Sequence, residues 1–389
     1  MQNTKVSETI KYIGVDDTTI DLFESQYVVP EGISYNSYVI LDEKVAVMDT
    51  VDCRGTAAWL ENLDKALNGR AVDYIVIHHM EPDHSGSLKI LAEKYPNAQL
   101  VGNAKTFQFI SQFFENDYKE RQLIVKEGDT LSLGLHTLTF FMAPMVHWPE
   151  VMVSYESSEK VLFSADAFGK FGALSSDDEE GWLCEGRRYY INIVGKYGVQ
   201  VQALLKKASV LDIQTICPLH GPVLNENIGF YIDKYNTWSS YAPEDKGVTV
   251  AYASIHGNTA KAARYVADLL KEKGVTFELF DLSRDDVAEA VESAFRYDKM
   301  VLASATYDGG IFSSMDYFLG RLKSKNFQNR KVALIENGSW APMAAKQMRA
   351  ALETMKNITV CENGVTIRSS MKEENKAQIA ALLDELLTN

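Results

Sequence analysis

The sequence predicts an α/β protein with two domains: a helix-flanked pair of mixed sheets, followed by a doubly wound parallel sheet. The length of 389 residues exceeds what one hydrophobic core usually serves. Strand-like runs come in groups in the first part of the chain, whereas they alternate regularly with helical segments in the second. The polar segment 241–247, which contains Pro and Gly, separates these patterns. We therefore place the domains at 1–245 and 246–389.

The first domain is predicted to be built from short apolar strands with helices between the groups. The predicted strands are 38–41, 45–49, 74–77, 123–125, 137–142, 152–155, 161–164 and 213–217. The predicted helices between them are 55–67, 85–94 and 186–207.

The second domain is predicted to be a five-stranded parallel sheet, because strands and helices alternate throughout. The predicted strands are 248–253, 277–281, 300–304, 332–335 and 359–361. The predicted helices are 258–272, 286–293, 315–323, 344–354 and 373–387.

Composition narrows the classes of function. The net charge of -14 disfavours binding to nucleic acid or to an anionic membrane surface. We see neither a secretory signal nor an apolar run long enough to span a membrane, so a cytoplasmic protein is expected. The four cysteines are far apart and form no Cys-x-x-Cys pair, which predicts buried, reduced thiols.

A cluster of possible metal ligands follows the strand that ends at Ile77. His79, Glu81, Asp83 and His84 lie within six residues, and Pro82 prevents the segment from continuing as a regular strand or helix. The spacing differs from the His-Glu-x-x-His of metalloproteases, which needs one helical face. His78 should point away from His79 by strand alternation, so we interpret it as a packing or supporting residue.

Three more candidate ligands each follow an apolar strand. They are His147, Asp166 and His220. Sites in α/β proteins are usually assembled from residues at successive strand ends along one sheet edge. Any one of these residues alone would more often be structural, but the whole set predicts a dinuclear metal site. His136 is interpreted as a loop residue.

These residues resemble the metallo-β-lactamase superfamily over about residues 1–240, which implies an αββα sandwich. Most hydrolases of that fold have a histidine where Glu81 stands and bind zinc. A carboxylate is a harder ligand than imidazole, so the exchange favours iron or manganese. The resemblance implies that Asp166 bridges the metals. By ligand count, one metal would be held by His79, Glu81 and His147, and the other by Asp83, His84 and His220.

Three loops after strands of the second domain predict a phosphate and a flat ring as ligand. The first opens a helix with hydroxyl groups and Gly, which suits a phosphate, and it lacks the lysine of a nucleotide triphosphate site. The residues concerned are Ser254, Ile255, His256, Gly257, Asn258, Thr259, Ala305, Thr306, Tyr307, Asp308, Gly309, Gly310, Asn337, Gly338, Ser339 and Trp340. Together the loops resemble flavodoxin over about residues 248–389, which implies FMN.

The combination of the two domains resembles the flavodiiron proteins (A-type flavoproteins), in their two-domain class. This resemblance implies reduction of O2 to water, of NO to N2O, or of both, at a non-haem diiron site that receives electrons from FMN. It also implies a head-to-tail homodimer or a tetramer, and rubredoxin or another small redox protein as electron donor. Tyr27, Trp148 and Tyr197 are candidates for lining the substrate pocket. The flavin loops depart from the usual family pattern at Ala305, Asp308, Ser313 and 338–342.

Two other functions stay open from the residues alone. The same ligands could hold zinc in a hydrolase whose flavodoxin domain is regulatory. Alternatively, the chain could be an FMN electron carrier without catalytic metals.

Overall fold

The computed structural model describes residues 2–176 and 181–388. The chain divides into two compact units, Met1–Asn236 and Thr237–Asn389. This division lies within the helix Ile228–Ser239. The domain bounds given above stay predictions.

The described residues of the first unit form two main sheets and two small ones. Its strands are β1 (Ile10–Tyr12), β2 (Val15–Asp17), β3 (Leu22–Phe23), β4 (Tyr27–Val28), β5 (Ile33–Tyr35), β6 (Tyr38–Leu41), β7 (Val45–Met48), β8 (Tyr74–Val76), β9 (Gln99–Gly102), β10 (Gln122–Ile124), β11 (Thr130–Ser132), β12 (Thr137–Met142), β13 (Met152–Glu156), β14 (Val161–Phe163) and β15 (Thr215–Cys217). The first main sheet has the order β1-β6-β7-β8-β9-β10, and the second has the order β11-β12-β13-β14-β15. Both sheets mix parallel and antiparallel pairs, as predicted.

The helices of the first unit are α1 (Thr56–Leu67), α2 (Pro82–Ser85), α3 (Leu88–Lys94), α4 (Ala104–Phe113), α5 (Trp182–Tyr189), α6 (Gly198–Ala208) and α7 (Ile228–Ser239). The predicted helix 85–94 is wrong at its start, because α3 begins at Leu88 and the preceding Ser87 departs from the helical conformation (φ −95°, ψ 0°). A Cβ at Gly86 would lie 2.6 Å from the Pro82 carbonyl oxygen and 2.8 Å from the Cys53 nitrogen, so only glycine fits there.

The predicted helix 186–207 is also interrupted. Between α5 and α6 the chain forms a π-helical turn, Tyr190–Val194, and a 3-10 turn, Gly195–Tyr197. The Asn192 side chain donates a hydrogen bond back to the Arg188 carbonyl (2.9 Å), and the Tyr27 hydroxyl donates to the Asn192 carbonyl (2.9 Å). Side chains that bond to the backbone in this way compete with the regular helical ladder.

The core of the first unit lies between its two main sheets. Side chains of β14 and β15 alternate, so that Val161, Phe163 and Cys217 face this core with residues of the first sheet. Leu162 and Ile216 lie on the opposite face, where α6 and α7 cover the second sheet.

The second unit is a doubly wound sheet. Its strands are β16 (Asp245–Ala253), β17 (Phe277–Asp281), β18 (Tyr297–Tyr307), β19 (Gly310–Ile311), β20 (Arg330–Asn337), β21 (Ile358–Val360) and β22 (Val365–Ile367). Its helices are α8 (Asn258–Glu272), α9 (Val287–Arg296), α10 (Ser313–Ser324), α11 (Ala344–Leu352) and α12 (Glu373–Leu387). The order β17-β16-β18-β20-β21, with parallel pairing throughout, is the predicted flavodoxin-like arrangement. The sequence pattern did not predict the two short strands β19 and β22.

Cysteine burial follows the prediction only in part. All four cysteines are free thiols, and Cys217 and Cys361 are buried. The prediction is wrong for Cys53, which is exposed, and Cys184 is only half-buried. Within 2–176 and 181–388, the structure contains no helix with the length and apolar character that crossing a membrane requires.

Candidate metal centre and flavin site

The seven predicted metal ligands lie together at one end of the first unit, in two groups. One group is His79, Glu81, His147 and Asp166, and the other is Asp83, His84 and His220; the ligand atoms within each group lie within 4.8 Å of one another. Their side chains are buried or nearly so.

Asp166 joins the two groups with one carboxylate oxygen each. Its Oδ2 lies 3.0 Å from His147 Nε2 and 3.3 Å from His79 Nε2. Its Oδ1 lies 3.1 Å from His84 Nε2 and 3.8 Å from His220 Nε2. Two ligands at right angles, each about 2.1 Å from an ion, are about 3.0 Å apart. Most of these separations therefore suit a pair of metal ions bridged by Asp166.

The local backbone places the ligands. Pro82 is the first residue of α2, and it keeps the preceding Glu81 extended (φ −58°, ψ 140°). Asp83 and His84 lie in the single turn of α2 that follows. Asp166 and His220 follow β14 and β15, which pair in parallel, so both residues come to the same sheet edge.

The cluster has unused polar atoms. Nε2 of His84, His147 and His220 and Oδ1 of Asp166 are buried without a hydrogen-bond partner, as are both oxygens of Asp83. Buried polar atoms normally have partners, and atoms of this kind that converge are the ordinary surroundings of a metal ion. The residues therefore fit two cations.

The electrostatics of the cluster agree with this interpretation. Burial lowers the pKa of His147, but the carboxylates of Asp166 and Glu81, each 3.0 Å from its Nε2, outweigh burial and raise this pKa to about 9. Burial likewise opposes the shift at His79, where Asp166 and Glu150 nevertheless hold the pKa well above its usual value. The carboxylates thus create a field that favours positive charge.

Supporting hydrogen bonds orient two of the histidines. His79 Nδ1 lies 2.7 Å from Glu150 Oε1, and His220 Nδ1 lies 2.7 Å from the Ser34 carbonyl oxygen. Each bond directs Nε2 into the cluster and fixes the tautomer. His78 bonds instead to Asp49 (2.6 Å) and to the Ser154 hydroxyl (2.8 Å), in a supporting position.

The three pocket candidates differ in their surroundings. The Trp148 ring lies 5.3 Å from the His79 ring, edge to face. The Tyr27 hydroxyl donates a hydrogen bond to the Asn192 carbonyl, and the centre of the Tyr27 ring lies 6.0 Å from that of the Phe171 ring. Tyr197 ends the 3-10 turn before α6, where Lys196 lies over its ring. Their assignment to a substrate pocket stays a prediction.

The flavin loops of the second unit surround a cavity of about 420 Å³. All the predicted residues except Gly257 and Gly310 line it. Ala341 and Ser369 line the cavity as well. Its size is in the range of small-ligand sites.

Local turn chemistry shapes this cavity. Asp308 and Gly309, both with positive φ (48° and 71°), form the two-residue turn between β18 and β19, and Gly310 belongs to β19. Gly257 (φ 82°) precedes α8 and, as a glycine, cannot cap the helix with a side chain. The amide groups in the first turn of α8 therefore lack a side-chain cap, and helix N-termini of this kind bind phosphates. The Thr306 hydroxyl accepts from the Met343 and Ala344 amides at the start of α11 (3.0 and 3.2 Å).

Two family models match the chain. The model "ODP family beta lactamase" matches residues 33–221, and a "Flavodoxin domain" model matches residues 249–383.

Relatives match over nearly the whole chain. An uncharacterized protein of Methanocaldococcus jannaschii is 30% identical over 95% of this chain and 94% of its own length. The anaerobic nitric oxide reductase flavorubredoxin of Vibrio vulnificus is 29% identical over 96% of this chain and 76% of its own length.

Solved structures agree with the relatives. The rubredoxin oxygen:oxidoreductase of Desulfovibrio gigas superimposes with a TM-score of 0.92 at 26% identity, over 99% of this chain and 98% of that one. The flavodiiron protein of Giardia intestinalis gives a TM-score of 0.93 at 26% identity, over 99% and 96%. The chain belongs to the flavodiiron protein family.

Membership in this family confirms the predicted fold and makes the chain an oxidoreductase of the flavodiiron type. The cofactors of such a flavodiiron protein are FMN and a non-haem diiron centre, as predicted. The oxidoreductase prediction is thereby confirmed over the zinc hydrolase and the simple electron carrier.

Several residues around the sites of this flavodiiron protein were missed from the sequence. Glu150 lies three residues after His147, and its acidic side chain in an apolar segment was the available signal. Ser34 contributes only its main-chain carbonyl oxygen. Every residue has such an oxygen, so the residue type at position 34 gave no signal. Ser369 was missed because β22, the strand before it, was not predicted.

Proposed function

We propose that this flavodiiron protein reduces O2 to water, NO to N2O, or both, at two irons held by the seven residues of the cluster. His79, Glu81 and His147 would hold one iron, and Asp83, His84 and His220 would hold the other. The observation that carries the proposal is the position of Asp166, whose two oxygens each face a different ligand group.

The chain's own residues account for the choice of metal and for a protected site. Glu81 and Asp83 give each group a hard oxygen ligand besides its histidines, which suits iron. Burial of the cluster keeps bulk water away from the reacting molecules. Reduction of O2 takes four electrons and four protons, and coupling of two NO to N2O and water takes two of each. Two ferrous ions and reduced FMN together supply four electrons when bound.

FMN would lie in the cavity of the second unit. The first turn of α8, with Ser254, Asn258 and Thr259, would bind its phosphate. Tyr307 and Trp340, which are 52% and 89% exposed, would flank the ring.

The flavin assignment has a matched test. Loss of one aromatic contact in Tyr307→Ala should weaken FMN binding about tenfold. Tyr317, an exposed tyrosine on α10 away from the cavity, supplies the control variant Tyr317→Ala. Fluorescence titration of the apoprotein with FMN measures both, and equal affinities would reject the role of Tyr307.

The names of the relatives support both gases and a rubredoxin-type donor. One relative is called a nitric oxide reductase flavorubredoxin, and one similar structure is a rubredoxin oxygen:oxidoreductase. We propose rubredoxin or another small redox protein as donor, a cytoplasmic location, and a homodimer that pairs the FMN of one subunit with the diiron site of the other. Light scattering after gel filtration tests the dimer, and a monomer with full activity would refute the pairing.

Stopped-flow oxidation of the reduced holoenzyme tests the function. Protein reduced without oxygen is mixed with O2 and, separately, with NO, and gas consumption is followed. We expect rapid turnover of at least one gas by the unchanged protein and its loss in His84→Ala. The control is Asp212→Ala, which removes an exposed carboxylate bonded to Lys160 on the same unit. Consumption of neither gas by the iron-loaded, FMN-loaded protein would overturn the proposal.

A further inference from the structure

A small cavity of about 70 Å³ lies in the first unit, outside the metal cluster. It lies between the outer face of the second sheet and the helices α6 and α7. Leu162 and Ile216 line it from the sheet, Val201 and Leu204 from α6, and Ile232 from α7. We call it the α6 cavity. Its lining is apolar because these are the side chains that strand and helix periodicity turn towards each other.

The inner end of the α6 cavity is formed by the loop that carries Asp166. Ser164, Ala167 and Phe168 line the cavity, while Asp166 between them points into the metal cluster. The lining residue Ala167 is thus adjacent in the chain to a carboxylate that faces both ligand groups.

The polar atoms at this inner end already have partners. The Ser164 hydroxyl donates to the Ala167 carbonyl (2.7 Å), and the Tyr235 hydroxyl accepts from the Phe168 amide (2.5 Å). An ordered water needs two to four polar partners, so water gains little by entering. Apolar cavities of this kind stay dry and bind small apolar species such as xenon.

The outer end of the cavity reaches towards the surface. Leu205, Ala208 and Leu211 line it there and are half-buried. Lys207 contributes its methylene groups, because its ammonium group donates to the Met142 carbonyl (2.8 Å). The cavity therefore runs from near solvent to the loop of Asp166.

We infer that the α6 cavity binds a neutral diatomic gas and delivers it to the metal cluster. This inference rests on the proposed function, which makes O2 or NO the substrate. Either molecule is small enough for about 70 Å³ and apolar enough to prefer this lining to water, whereas a flavin is too large. The cavity raises the local concentration of the gas next to Asp166, so it acts at low gas concentration and not at saturation.

Xenon and a matched pair of substitutions test the inference. Crystals of the holoenzyme under xenon pressure should show a xenon atom in the α6 cavity. Ala208→Leu fills the outer end of the cavity, whereas Ala203→Leu makes the same change on the exposed face of the same helix. We expect Ala208→Leu to lose the xenon and to lower the rate at limiting gas about fivefold, with an unchanged rate at saturating gas. Ala203→Leu should change neither, and iron and FMN contents should stay equal in all three proteins.

The outcomes separate this inference from the proposed function. Absence of xenon from the cavity of the unchanged protein overturns the inference, whatever the rates. Loss of xenon with an unchanged rate at limiting gas also overturns it. No turnover of either gas at saturation overturns the proposed function instead, and xenon still reports whether the cavity binds a gas. If Ala208→Leu fails to fold, Val201→Phe fills the deeper part and is judged by the same two measurements.

Discussion

Two clusters of the first unit bring buried histidines next to carboxylates, and the histidine nitrogens have different partners in the two. In one, His136 lies between Asp42 (Nδ1 to Oδ2, 2.8 Å) and Glu159 (Nε2 to Oε1, 3.1 Å). The Glu159 carboxylate also accepts from the Thr9 hydroxyl. In the metal cluster, by contrast, Nε2 of His84, His147 and His220 have no hydrogen-bond partner.

This difference distinguishes a structural ion network from a metal site. The histidines of both clusters are buried, and carboxylates raise the pKa of histidines in both against the effect of burial. Burial and shifted pKa values therefore do not identify the metal site. Ligand atoms that converge without partners do, because an ion can satisfy them.

Asp166→Asn should have the largest effect. The amide replaces one of the two oxygens that face the ligand groups and removes the charge, so both irons should be lost together. Activity should fall by more than about 100-fold, since changes to mere supporting partners already cost about 10–100-fold. Metal analysis measures the iron content of Asp166→Asn, and the rate of gas consumption measures its activity.

The control for Asp166→Asn is the same change in the other cluster. Asp42→Asn should leave two irons per chain and the activity unchanged. Full iron content in Asp166→Asn would contradict the bridging role.

Glu150→Gln should have the next largest effect. Glutamine keeps the size of the side chain but loses the charge that orients His79 and makes it a stronger ligand. Iron affinity should fall about 10–100-fold in a competition with a chelator. Glu156→Gln is the matched control, because Glu156 is equally buried at the end of β13 and bonds to the Ser158 and Glu159 amides instead. Equal iron affinities in the two variants would contradict the supporting role of Glu150.

His136→Gln should affect stability and not the metals. It leaves the Asp42 and Glu159 carboxylates without their charged partner, which should lower the free energy of unfolding by about 1–3 kcal/mol at pH 6. Urea unfolding of the metal-free and FMN-free protein avoids stabilisation by bound iron or FMN. The exposed His256 supplies the control variant His256→Gln. A loss of iron in His136→Gln would contradict the interpretation of the His136 cluster as an ion network separate from the metal ligands.

The smallest effect should be the pH dependence of that stability difference. Burial by itself would lower the pKa of His136. Its hydrogen bonds to Glu159 and Asp42, with the charge of Glu156 nearby, outweigh burial and raise this pKa above its usual 6.5. The stabilisation is therefore complete below pH 6.5 and is lost as pH rises through the raised pKa. The pKa values of Asp42 and Glu159 are lowered from 3.8 and 4.5, so their contribution is present above those values and is lost in acid.

Unfolding of the unchanged protein and of His136→Gln between pH 4 and 9 measures this dependence. The difference in free energy of unfolding between the two proteins should be largest near pH 5 to 6 and should decrease towards pH 4 and towards pH 9. A difference that grows with rising pH would contradict the assignment.

The fold was predictable where patterns are long and regular. Alternation of strands and helices predicted the five central strands of the second unit. It missed β19 and β22, because strands of two or three residues carry no readable period. It also placed the start of α3 at Ser85 instead of Leu88. It joined α5 to α6, since the hydrogen bond between Tyr27 and Asn192 depends on residues distant in the chain.

The sequence by itself determined the family and the set of seven candidate ligands. Metal coordination demands particular residue types, and these stand out where they follow apolar strands. Only the tertiary structure decided that Asp166 faces both groups, that Glu150 and the Ser34 carbonyl orient histidines, that His136 belongs to a closed ion network, and that an apolar cavity ends at the loop of Asp166. Those features depend on distances between atoms far apart in the chain, and residue type alone does not encode such distances.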